Sequence, residues 1–182
     1  LIRSVLLQAG FVSFLFFAAD LGDVTLAANQ VLLQFCYVAA HAMDGFVFAA
    51  EALVSQAVGA GALAKLRRAA MITAIWTFSA GLVISLMIWF LAPIFIDIMA
   101  KEINVQADAR LYIPHIAFVP ILGAMAWMLD GVFIGATRTR DMRNMMIISF
   151  IGYSIFIIFL LPAFGNHGLW MAMNGFYILR GL

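Results

Sequence analysis

The stretch Ala69–Ile96, AAMITAIWTFSAGLVISLMIWFLAPIFI, runs for 28 residues without one charged side chain. At ~1.5 Å per residue, a helix needs about 20 apolar residues to cross the hydrocarbon core of a bilayer. Trp76, Phe78, Leu82, Ile84, Leu86, Met87, Trp89 and Phe90 fall on every face of such a helix. No polar stripe is left for water, and a helix apolar all round is buried or membrane-spanning. Composition agrees: 66% of residues are hydrophobic and 10% charged, against roughly 45–50% and 25% in soluble domains. The expectation is an all-α, multi-pass protein of the inner or plasma membrane, surrounded by lipid.

Outward from this run, five further apolar segments stand on either side. Ser4–Ala19 is short, and Thr25–Ala57 is long but interrupted by Asp44 and Glu51. Asp108–Thr137 holds the uncharged stretch Leu111–Leu129. Met145–Leu161 closes at Pro162, and Gly168 opens a last segment that the sequence cuts short. Six spans are expected, the first and last truncated. Ser4–Ala19 also has the look of a leader's apolar core, but no A-x-A-like site follows it, and it is read as a span.

The connectors alternate in charge. Arg3, Lys65, Arg67, Arg68, Arg138, Arg140 and Arg143, seven basic residues, belong to one side; Lys101 and Arg110, two, belong to the other. Cytoplasmic loops carry the Lys/Arg excess. The chain therefore enters from the cytoplasm, with Asp20–Val24, Asp97–Ala107 and Ala163–Gly168 outside. The single cysteine, Cys36, excludes an internal disulfide. A net charge of +1 gives no sign of a nucleic-acid partner.

Asp44, Glu51, Asp130 and Arg180 lie within apolar segments, where a charge at mid-bilayer costs at least ~2.5–3.5 kcal/mol. Asp44 and Glu51 are two helical turns apart and share a face, with His41 beside Asp44. Glu51 lies about 12 Å and Asp44 about 22 Å in from Gly59, and Asp130 about 10 Å from Thr137. These four are the candidate ion-responsive and cavity residues. Plainer readings stand beside them. Asp44-Gly45 could end a span, with Phe46–Ala57 on the membrane surface. Glu51 could snorkel toward Lys65 or Arg68, and Arg180 could be an interfacial anchor. Met43, Phe46, Met125, Trp127 and Met128 read first as packing or lipid-facing residues, and some of them are candidates for the lining of a greasy substrate cavity. Gly131-x-x-x-Gly135 lets a second helix approach closely. Pro114 and Pro120 are expected to bend the same helix. His41, His115 and His167 lack metal-ligand spacing. No phosphate-binding Gly-Lys loop, zinc motif or nucleophile elbow is present, so no enzyme, cofactor or metal is expected.

Leu26-Ala27-Ala28-Asn29-Gln30-Val31-Leu32, Met43-Asp44-Gly45-Phe46-x-x-Ala49-Ala50-Glu51-Ala52-Leu53-Val54 and Gln56-Ala57-x-Gly59-Ala60-Gly61 resemble the MATE (multidrug and toxic compound extrusion) family, most of all its DinF branch. Asp130-Gly131-x-x-x-Gly135-Ala136-Thr137 with Met142-Arg143-Asn144 resembles the family's tenth helix and following loop, and Gly168-Leu169-Trp170 with Arg180-Gly181 its twelfth. The resemblance implies a twelve-helix antiporter of two six-helix bundles, exporting small amphiphilic or cationic compounds against an inward H⁺ or Na⁺ flow. Residues 1–182 correspond to the second bundle, helices seven to twelve, and the implied partner is an N-terminal six-helix bundle. Sodium-coupled relatives carry a seventh-helix glutamate, and Ser4–Ala19 has no acid. In the DinF branch the coupling proton is usually assigned to a first-helix aspartate, outside this match. Alternatives are a lipid-linked oligosaccharide flippase of the same superfamily, which wants a more basic cavity, and a membrane scaffold without transport.

Overall fold

The structure, a computed structural model, describes residues 2–182. Among these residues the regular elements are seven helices: α1 (Ile2–Asp20), α2 (Asp23–Gly59), α3 (Leu63–Met99), α4 (Ile103–Leu111), α5 (Ile113–Gly135), α6 (Thr139–Phe164) and α7 (Asn166–Arg180). Five of them, α1, α2, α3, α5 and α6, are long and apolar enough to cross a membrane. With 15 residues, α7 is about 22 Å long and falls short of a full crossing. The protein is an all-α, multi-pass membrane bundle.

The 28-residue uncharged run lies entirely within α3. The reading in which Asp44-Gly45 ends a span is corrected, because α2 continues without a break for 37 residues. Inside a bilayer each backbone N–H and C=O must be satisfied within the helix, so carrying Gly45 costs less than opening the ladder there. The basic connector expected over Arg138–Asn144 is corrected too. Arg140 and Arg143 sit in the first turns of α6, which also runs through Pro162 to Phe164. At the other end, α4 occupies part of the expected loop, and exposed Arg110 donates to both oxygens of Asp97 at 2.5 and 2.7 Å. Such an exposed pair contributes under about 1 kcal/mol.

Helix α5 is the hub and the most enclosed of the five spans, with 12 of its 23 residues buried. Small residues and one proline explain its close packing. On α3, a Cβ at Gly81 would come within 2.7 Å of the Pro120 carbonyl oxygen, so only glycine admits this crossing. Ser85 of α3 donates its hydroxyl to the Ala117 carbonyl, next to the carbonyl that Pro120 leaves without its helical donor. Pro114, expected to bend the helix, lies in the first turn of α5, where its missing N–H costs nothing. The α6–α7 turn is made at Gly165, whose φ of 56° suits glycine. Behind it Phe14 of α1 meets Trp170 of α7 edge-on, with ring centroids 4.8 Å apart.

A buried amide pair fastens the end of the bundle opposite the arginine-rich one. Asn29 and Asn166 exchange hydrogen bonds at 2.7 and 3.0 Å, and the Trp170 indole donates to Asn29 Oδ1 at 2.9 Å. Replacing Asn29 by leucine leaves two buried donors without acceptors, at ~1–3 kcal/mol each. Asn29→Leu should therefore lower the apparent melting temperature in detergent by several degrees, whereas Asn104→Leu, on the exposed face of α4, should leave it unchanged. Equal melting temperatures for the two variants would contradict this account of the amide pair.

Candidate functional site

Asp130 occupies the basic end of α5, one residue before the glycine that seats α5 on α2. Its Oδ2 accepts a hydrogen bond from Arg180 Nη2 at 2.8 Å and another from Arg3 Nη2. One carboxylate oxygen thus joins α1, α5 and α7. Side-chain exposure is 14% for Asp130, 5% for Arg180 and 27% for Arg3. Arg180 enters the bundle because its guanidinium lies 5.6 Å from the Phe176 ring centroid and 5.8 Å from that of Tyr177, contacts that favour a desolvated cation. With one acid and two arginines, the cluster carries a net charge of +1. Leu129, Phe133, Met142, Met145 and Met146 wall a cleft of only ≈ 10 Å³ beside the pair, close to the least that holds one water. Desolvation raises the cost of separating the charges, and the same desolvation offsets much of the attraction.

The structure brings together Asp130 and Arg180 from the expected set and adds Arg3. Asp44 is exposed and Glu51 half-buried; among the described residues neither makes an ion pair or a side-chain hydrogen bond. His41 turns away from Asp44, its Nδ1 lying 2.6 Å from the Tyr37 carbonyl oxygen. Gln30, Gln34, Tyr37, His41, Asp44 and Glu51 follow one another at helical spacing along α2, all of them exposed or half-buried, with only Phe48 apolar among them. This polar stripe runs most of the length of α2 and turns away from the bundle's core. Its far end opens into a cleft of ≈ 470 Å³ lined by Gln30, Gln34, Lys101 and Glu102.

Of the five cavity candidates, Met43, Trp127 and Met128 are buried packing residues. Trp127 rests against Tyr177, with ring centroids 5.5 Å apart. Phe46 and Met125 keep some exposure. The apolar cleft of ≈ 350 Å³ between α2 and α3 is lined instead by Phe35, Ala39, Ile84, Ile88 and Phe95, among others. His115 and His167, 52 positions apart, meet at the non-basic end with Nε2 and Nδ1 3.1 Å apart. Sequence reading gives Arg3 only as a topology marker, assigns Gln30 and Gln34 no role, and does not pair His115 with His167. The glutamines were legible there at the helical period of the Asp44–Glu51 face; the other contacts were not.

Residues 1–162 match the family model described as MatE. The chain is also 33% identical, over 188 aligned positions, to the DNA damage-inducible protein F of Escherichia coli (strain K12). That alignment takes in 100% of this chain and 39% of the relative, so the chain spans well under half of the relative's length. A helical membrane bundle matched over residues 1–162 by one family model is enough to place it: the chain belongs to the MatE family.

Proposed function

We propose that residues 1–182 form one six-helix bundle of a cation-coupled antiporter, which exports small amphiphilic or cationic compounds in exchange for H⁺ or Na⁺. The observation that carries this reading is the Asp130 carboxylate, shared between Arg3 and Arg180 inside a MatE-family bundle. A proton or Na⁺ taking Asp130 displaces a guanidinium from it. The stability of the α1–α5–α7 junction then depends on the occupancy of the acid. A ligand shifts a conformational equilibrium only by its differential affinity for the two states, and a contested carboxylate supplies such a difference.

The polar stripe on α2 supports a second bundle facing this one. Secondary transporters bind substrate near the midplane, between two repeats, and a stripe that includes Asp44 and Glu51 attracts cations. In this reading Asp44 and Glu51 line the path, while Asp130 and Arg180 respond to the coupling ion. The remaining length of the E. coli relative leaves room for the partner bundle.

The test is gradient-driven transport by the full-length protein in proteoliposomes, followed with a fluorescent organic cation. A pH gradient or a Na⁺ gradient, imposed separately, should drive saturable movement of the dye. Movement driven by neither gradient would overturn the antiporter reading.

A further inference from the structure

At the basic end, α1, α5 and α6 enclose a groove of ≈ 410 Å³. Arg3, Arg140 and Arg143 line it together with the hydroxyl residues Ser4 and Thr139, and Ile2, Ile134 and Met142 form its apolar walls. Acceptors for these cations are few. Arg3 shares Asp130 with Arg180, and Arg143 donates only to the neutral Asn144 side chain, at 2.9 and 3.2 Å. The nearest acid in sequence, Asp141, is directed to Arg138 at 3.6 Å and is not part of the lining. Arg140 has no ion-pair partner among the described residues. The groove therefore carries surplus positive charge, in a form suited to forked hydrogen bonding with phosphate oxygens.

We propose that this groove is a binding site for an anionic phospholipid, its phosphate held by Arg140 and Arg143 beside Arg3, and its acyl chains running along Ile2, Ile134 and Met142. Three features select a lipid over other anions. The groove lies at the arginine-rich end, which the Lys/Arg excess assigns to the cytoplasmic leaflet, where anionic lipids are concentrated. Basic pockets between membrane helices on that side take such headgroups. A free phosphate ester would leave the apolar walls uncovered, and a cationic transport substrate would be repelled. Arg3 belongs both to the groove and to the Asp130 cluster, so a bound headgroup competes with Asp130 for one guanidinium. Only this last consequence rests on the antiporter reading; the binding site itself does not.

Lipid retention, measured by native mass spectrometry on the full-length protein, tests the site without any transport assay. Purified protein is exposed to an equimolar mixture of phosphatidylglycerol and phosphatidylcholine. The wild type should retain phosphatidylglycerol preferentially, and Arg140→Gln/Arg143→Gln should lower that preference roughly tenfold or more. Arg140→Lys/Arg143→Lys, which keeps the charge and guards against a folding defect, should retain a substantial part of it. Lys65→Gln/Arg68→Gln removes the same charge from a separate cleft, lined by Gln56, Lys65 and Arg68, and should change the preference little. Unchanged preference in Arg140→Gln/Arg143→Gln would overturn the site. An equal loss in Lys65→Gln/Arg68→Gln would reduce the effect to general surface charge and overturn it as well. Displacement of the lipid by free glycerol phosphate at comparable concentration would show a site for soluble phosphate esters and refute the lipid assignment.

Discussion

Replacing Asp130 by asparagine should reduce ion-coupled export roughly tenfold or more, the largest functional effect expected of any single substitution here. The amide keeps an oxygen that can accept from Arg180 Nη2, so the helix junction is not simply opened. What it loses is the charge that holds two guanidiniums. Arg180 is almost enclosed, with 5% of its side chain exposed, and a buried ion left without its counter-charge costs ~3–5 kcal/mol. Asp130→Asn should therefore also lower thermal stability. The double variant Asp130→Asn/Arg180→Gln removes the stranded cation and should recover most of that stability without recovering transport. Export and detergent melting curves, measured for both variants, separate the roles. Transport restored in the double variant would mean that Asp130 serves only to neutralise Arg180. Full coupled transport by Asp130→Asn alone would remove the residue from the mechanism.

The largest structural effect is expected at Gly131. Helix α5 lies so close to α2 that a Cβ at Gly131 would press on the Val47 carbonyl oxygen and come within 3.1 Å of the Ala50 methyl. One turn on, a Cβ at Gly135 would sit 2.6 Å from the Glu51 carbonyl oxygen and 3.1 Å from the Val54 Cβ. The opposing atoms include backbone, which cannot rotate away as a side chain does. Overpacking in an adaptable core costs ~1–3 kcal/mol, and a collision with backbone belongs above that range. Gly131→Leu should give little monodisperse protein after detergent extraction. Gly45→Leu, on the same α2 helix but with nothing within 4 Å of the added Cβ, should extract like the wild type. Comparable losses at both positions would trace the damage to glycine content in general and not to this crossing.

Sequence and structure agree most where a single local property is enough. A run without charge predicts α3 because desolvation leaves no other fold for it, and Gly131 and Gly135 predict a close crossing because their spacing alone puts both on one face. Asp130 was visible as an acid where acids are costly. Its second partner was not, since Arg3 stands 127 residues away and reads locally as a topology marker. The same limit hid His115 and His167. Trp127 and Met128 could not be assigned to core or cavity, because a helix apolar nearly all round carries no mark of which side faces the bundle. Helix α4 was missed for the opposite reason. Its polar residues, including Asp108 and Arg110, mask the short apolar contacts of Val105 and Ala109 that hold it down. Similarly, the early start of α6 lies in charged residues, which favour a helix but give no hydropathy signal.

The shared carboxylate oxygen also bears on how the chain is made. Arg3 precedes Asp130 by 127 residues, and Arg180 follows it by 50. A ribosome delivers them in that order, so α5 reaches the insertion machinery while α7 is still unsynthesised. At that moment the acid in α5 has one counter-charge within the nascent chain's own bundle, on α1, and Arg3 can escort it into the bilayer. Arg180 becomes available only after α5 and α6 have been made. The order of synthesis thus lets α1 offer the first counter-charge to α5, and α7 the second.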